Sequence, residues 1–139
     1  MRRHVHPRRR FAEGTARRDT PLIQNKRMEL HDAFATREPD AIIVSTLALV
    51  QLLIDEHRLA AAAYEIDGVI AALEDTAPPQ LWRLHLTIAV VYDGLGEPDR
   101  ARTSARAGQA AAREAHDRTG VARANAVLRR LGCSSTKSA

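Results

Sequence analysis

Cysteine is all but missing from this 139-residue chain, Cys133 standing alone. No internal disulfide framework is available, which excludes the small secreted scaffolds that depend on one. Aromatic residues are scarce as well, with two Phe, two Tyr and one Trp. Strands favour aromatic and β-branched side chains, so a sandwich or barrel is a poor fit. No apolar stretch long enough for a membrane helix occurs. The longest run, residues 41–54, spans roughly 21 Å as a helix against a hydrocarbon core of roughly 30 Å. It is interrupted by Ser45, Thr46 and Gln51 and fenced by Asp40 and Asp55. The basic N-terminus lacks the apolar segment of about 7–15 residues that a secretory signal requires. These absences imply a cytoplasmic location and no membrane partner. The chain also lacks a Gly-rich phosphate loop, HExxH, GxSxG and CxxC, so no residue pattern supports an enzyme, a cofactor or a metal site.

Alanine is what the chain has in abundance, 25 residues of it, and alanine is the best helix former. Arginine outnumbers lysine nineteen to two, which together with the alanine excess is the coding habit of a GC-rich bacterial gene. The length suits one domain with one core. The net charge of +4 is unevenly spread: residues 1–27 carry +7, residues 28–76 carry −8 and residues 77–139 carry +5. Residues 1–21 read as a basic tail with seven Arg and no periodic face, residues 22–132 as a helical domain, and residues 133–139 as a frayed end.

Apolar spacing predicts about six antiparallel helices and no strand. Ile23, Leu30 and Phe34 form a stripe over residues 22–36. Residues 40–56 are apolar nearly all round, which predicts burial on more than one side, with Asp40 as N-cap. Ala62, Ile66, Val69, Ile70 and Leu73 share a face over 59–75; Leu81, Leu84, Ile88, Val91 and Tyr92 share one over 80–95. An Ala-rich helix over 100–116 and a last helix over 119–131, with Val121, Ala124 and Leu128 in line, complete the set. Loops of two to five residues make successive helices antiparallel neighbours. A shift of 40 residues aligns Val50 with Val90, Ala61 with Ala101 and Gly68 with Gly108, the mark of an internal repeat.

Within residues 88–101, Ile88, Ala89, Tyr92, Gly96 and Ala101 fall in the places that a tetratricopeptide (TPR) repeat reserves for Leu, a small residue, Tyr, the turn Gly and Ala. Small Ala89 and Ala101 let two helices approach, Tyr92 fills the gap, and Gly96 permits the turn. The chain thus resembles a TPR-like array, such as those in the C-terminal parts of actinobacterial regulators. It departs from the pattern at His85, Ala105, Gly108 and Arg113, where the family prefers Trp, a large aromatic, Ala and Pro. The resemblance implies a short α-solenoid whose first helices line a concave groove. That lining would be Arg83, Leu86, Val90 and Asp93 in the second unit and Ile43, Thr46, Val50 and Leu53 in the first. Leu86 and Val90 replace the basic and amide residues with which chaperone-binding members clamp a terminal carboxylate, so the groove is expected to be apolar and to suit an amphipathic helix. Alternatively, residues 22–34 cover it, or two chains pair through it.

Other candidate groups have plainer readings. His4 and His6 lack the further ligands that zinc requires. Asp55, Glu56 and His57 are adjacent, so they point apart on a helix. Seven Arg within residues 2–18 could neutralise phosphates, but only Phe11 is there to stack a base. The expectation is a non-catalytic protein-interaction or regulatory module, with a nucleic-acid-associated regulatory protein, using the Arg-rich tail and the basic C-terminal helices, as the alternative. Arrays of this kind are commonly built from three or more repeats, so about two and a half units predict a homodimer or a larger context.

Overall fold

The computed structural model describes residues 19–132. Its turns fall on left-handed residues at nearly regular intervals. Arg37, His57, Ala77, Gly96, His116 and Gly132 all have positive φ, between 44° and 84°. Between them run six helices: α1 (Pro21–Thr36), α2 (Pro39–Asp55), α3 (Leu59–Leu73), α4 (Leu81–Gly94), α5 (Pro98–Glu114) and α6 (Arg118–Arg130). The expected boundaries hold to within three residues. Alternate turns recur after 39 or 40 residues, from Arg37 to Ala77 to His116 and from His57 to Gly96. That matches the 40-residue shift in the sequence and exceeds the TPR period of about 34. Among the described residues there is no strand, and no helix is long and apolar enough to cross a membrane.

Three turns share one hydrogen-bond pattern. The amides of Arg58, Glu97 and Asp117 donate to the carbonyls of Leu53, Tyr92 and Ala112, while those of His57, Gly96 and His116 donate to Ile54, Asp93 and Arg113. This is the Schellman arrangement, in which a left-handed residue lets the last carbonyls of a helix find partners. Glycine has no Cβ to oppose that conformation, and Gly96 is the one glycine of the three. We therefore expect His57→Gly and His116→Gly each to raise stability by about 0.5–1 kcal/mol, read by urea denaturation. No gain at either position would show that the imidazoles make compensating contacts.

The tetrapeptides Arg37-Glu38-Pro39-Asp40 and Gly96-Glu97-Pro98-Asp99 build the same entry into a helix twice. In both, the Glu is the N-cap residue, Pro opens the helix, and Asp lies in the first turn. Proline is suited to that place because the first amides have no helical partner. Asp40 is thus not the cap but a first-turn charge at the positive end of the helix dipole. The fold also begins before residue 22. Thr20 caps α1 by accepting from the Ile23 amide, and Asp19 bonds Arg27 and Arg58 at 2.7 and 2.9 Å. Arg27 reaches on to Glu65 of α3. Burial pushes the Asp19 carboxyl up, but the two guanidinium groups outweigh it and hold the group below its usual range.

Successive helices pack on one another, and α2 and α4 also touch α4 and α6 across the odd-numbered helices. The main core joins α1 to α4 through Ile23, Ile43, Leu49, Leu53, Ile66 and Leu84. A second cluster gathers Trp82, Leu86, Ala89, Ala105, Ala112, Ala124 and Leu128 between α4, α5 and α6. Of the residues that carry the TPR resemblance, Ile88, Ala89, Tyr92 and Ala101 are buried, and Gly96 has a positive φ at a turn. One stripe is corrected. In α1 it is Ala33 that is buried beside Ile23 and Leu30, while Phe34 faces outward, because the chain packs α1 along a single narrow seam.

Candidate interaction groove

The even-numbered helices share a groove of about 530 Å³. Leu47, Val50, Gln51 and Ile54 come from α2, Trp82, Arg83, Leu86, Thr87 and Val90 from α4, and Arg123, Ala126 and Val127 from α6. The lining follows the repeat. Residues forty apart stand in it together: Leu47, Thr87 and Val127; Val50 and Val90; Leu86 and Ala126; Arg83 and Arg123. The helix α1 contributes nothing to the lining, so it does not cover the groove.

Of the expected lining, Arg83, Leu86 and Val90 are found there, with Val50 on its floor at only 1% exposure. Ile43, Thr46 and Leu53 are not: each is 0% exposed in the core, out of reach of any partner. The Thr46 hydroxyl is satisfied by donating to the Ile42 carbonyl at 2.7 Å, which lets it sit among apolar neighbours. The face that α2 turns to the groove lies one residue on, through Leu47, Gln51 and Ile54, about 100° around the helix. Asp93 is exposed but outside the lining. The three differences on α2 share a physical reason. In a helix apolar nearly all round, hydrophobicity cannot tell the side facing the core from the side facing the groove.

Trp82 anchors one wall. It is 4% exposed, and its indole N–H donates to Asp117 Oδ2 at 3.0 Å. The other oxygen of Asp117 caps α6 by accepting from the Gly120 amide at 2.9 Å. One carboxylate therefore ties the start of α6 to the tryptophan of α4. The Arg123 guanidinium stands 5.9 Å from the Trp82 ring centre, within cation–π range. Behind the wall, burial holds His85 below its usual pKa despite the opposing charge of Glu74. No sequence pattern announced the Trp82–Asp117 pair, whose members are 35 residues apart.

Among the described residues no carboxylate lines the groove. Neither Arg83 nor Arg123 pairs with a carboxylate among the described residues, as is also true of Arg37, Arg113, Arg118, Arg129 and Arg130. The remaining sequence candidates separate from this surface. Asp55 accepts from Gln51 Nε2 at 2.9 Å, and His57 serves as the left-handed turn residue. His4, His6, Cys133 and the arginines of residues 2–18 lie outside the described residues. No protein-family model, curated protein or solved structure matches this chain.

Proposed function

We propose that this chain is a TPR-like interaction module that binds a protein or peptide in the groove of α2, α4 and α6, without chemistry of its own. The observation that carries the reading is the groove itself, a contiguous apolar surface built by repeat-related positions of three helices. Val90, an apolar residue of the lining, is 43% exposed. Contiguous exposed apolar patches mark interaction sites more often than scattered single residues do. A second copy of the chain belongs among the eligible partners. The regulatory role and the cytoplasmic setting belong to this proposal as its context.

Val90→Glu is the test variant. Its exposure lets a charge be placed there with little effect on the core, so helical content should persist while partner binding falls by at least tenfold. Leu86→Glu serves less well, because Leu86 is only 7% exposed and packs against Gly108; it should unfold the protein. Circular dichroism separates the two outcomes. Binding that survives Val90→Glu yet collapses between about 50 and 200 mM salt would favour nucleic acid instead, held by the arginines of α5, α6 and residues 2–18.

A further inference from the structure

The groove reading leaves the chemistry of the partner open, and the two arginines of its lining narrow it. Arg83 and Arg123 stand forty residues apart at equivalent places of the repeat, on the same groove, among apolar side chains and with no acid among the described residues of its lining. We propose that the occupant is an amphipathic helix of a partner protein, its apolar stripe flanked by carboxylates that Arg83 and Arg123 take up. This rests on the groove being a binding surface.

A helix is favoured over an extended strand by the polar inventory. An extended peptide brings an N–H and a C=O at every residue, and each needs a partner once water is excluded. Among the described residues the groove offers, besides its arginines, only Gln51 and Thr87. The Gln51 amide already donates to Asp55, and the Thr87 hydroxyl donates to the Arg83 carbonyl at 2.7 Å. A helix satisfies its own backbone and presents side chains alone, which is what Leu47, Ile54, Leu86, Val90 and Val127 can receive.

Charge selects the flanks. Guanidinium groups bind carboxylates in paired hydrogen bonds, and against an apolar floor such a bond is less screened than at an open surface. The chain's own ends do not fit. Residues 1–18 carry seven Arg against Glu13, and residues 133–139 contain no large apolar side chain. The first would set like charges together, and the second has nothing to bury.

Trp82 is the single tryptophan of the chain and lines the groove, so its emission reports occupancy. The probes are three synthetic 18-residue helical peptides free of Trp and Tyr, with one common leucine stripe and flanks of Glu, Gln or Lys. The Glu peptide should bind at least tenfold more tightly than the Lys peptide at about 50 mM salt, with the gap narrowing as salt screens it. In Arg83→Glu/Arg123→Glu the order should invert; Arg83→Gln/Arg123→Gln should level it should the reversed pair fail to fold. Equal binding of all three peptides, all lost in Val90→Glu, would overturn the acidic preference and leave the groove standing. No change in Trp82 emission with any peptide would overturn both readings. A dimer that Val90→Glu converts to monomer would name a second copy as the occupant and overturn the proposal of a separate partner.

Discussion

Replacing Trp82 by alanine is expected to cost about 3–5 kcal/mol, the usual range for truncating a buried aromatic. For a domain of this size that is a large share of a total stability of roughly 6–17 kcal/mol. The cluster between α4, α5 and α6 explains why. Apart from Trp82 its buried members are Leu86, Leu128 and four alanines, so the indole is the one large body filling the space. Its loss also frees Asp117 Oδ2 and removes the ring beneath Arg123. Trp82→Phe keeps most of the volume and gives up the hydrogen bond, for a cost of about 0.5–1.5 kcal/mol plus whatever space is left. Asp117→Ala removes both the helix cap and the indole bond and should cost about 1–3 kcal/mol. In a double-mutant cycle of Trp82→Phe with Asp117→Ala, a coupling near zero would show that the two groups are neighbours without being partners. Because Trp82 also walls the groove, the same variants should weaken binding in step with the loss of α6.

The helices themselves were legible because their physics is local. Apolar spacing at helical period, the Glu-Pro-Asp turns and Gly96 each act within a few residues, and all six helices lie where those signals put them. Faces were legible where one side of a helix is polar: Ile66, Val69, Ile70 and Leu73 on α3 and Leu84, Ile88 and Val91 on α4 are buried as the spacing requires. On α2 the signal vanishes. Ile42, Ile43, Val44, Leu47, Leu49, Val50, Leu52, Leu53 and Ile54 surround the axis, and only packing decides that Ile43 and Leu53 go inward while Leu47 and Ile54 face the groove. Tyr64 is a harder case still. It is 79% exposed on α3, and no local rule marks it for the surface. The Trp82–Asp117 bond and the Arg27–Asp19–Arg58 network were illegible for another reason, since each joins segments at least 35 residues apart or depends on how three helices meet. The turns carry a different lesson. Gly96 was the expected turn residue, yet Arg37, His57, Ala77 and His116 also adopt the left-handed conformation because the helices on either side fix the chain's reversal.

The stacking of the last helix makes opposite forecasts for two glycines that look alike in sequence. Glycine inside an exposed helix costs about 0.5–1 kcal/mol relative to alanine, because it has more backbone freedom to lose. Gly68 lies within α3, and a methyl group built on it would meet nothing within 4 Å. Gly68→Ala should therefore stabilise the protein by about that amount. Gly120 lies in the first turn of α6, and a methyl there would come within 2.8 Å of both Ala112 Cβ and Trp82 Cε2. Neither neighbour can yield cheaply: the first is fixed to the backbone of α5, and the second belongs to a ring held by Asp117. Gly120→Ala should destabilise by about 1–3 kcal/mol despite its better helix propensity, as overpacked substitutions do, and Gly120→Leu should do worse. Gly108 stands between them. Its methyl would meet Leu86 Cδ2 at 2.7 Å, which can turn at the expense of the groove it lines, but also Leu86 Cγ at 3.1 Å and His85 Cβ at 3.2 Å, which give less. Urea denaturation of the three alanine variants orders them, with Gly68 above the parent and Gly120 lowest. A Gly120→Ala protein as stable as the parent would mean that α6 can lift from α4 and α5 without penalty. The wall formed by Trp82 and Arg123 would then be movable, and the groove would take its shape from the partner rather than offering one in advance.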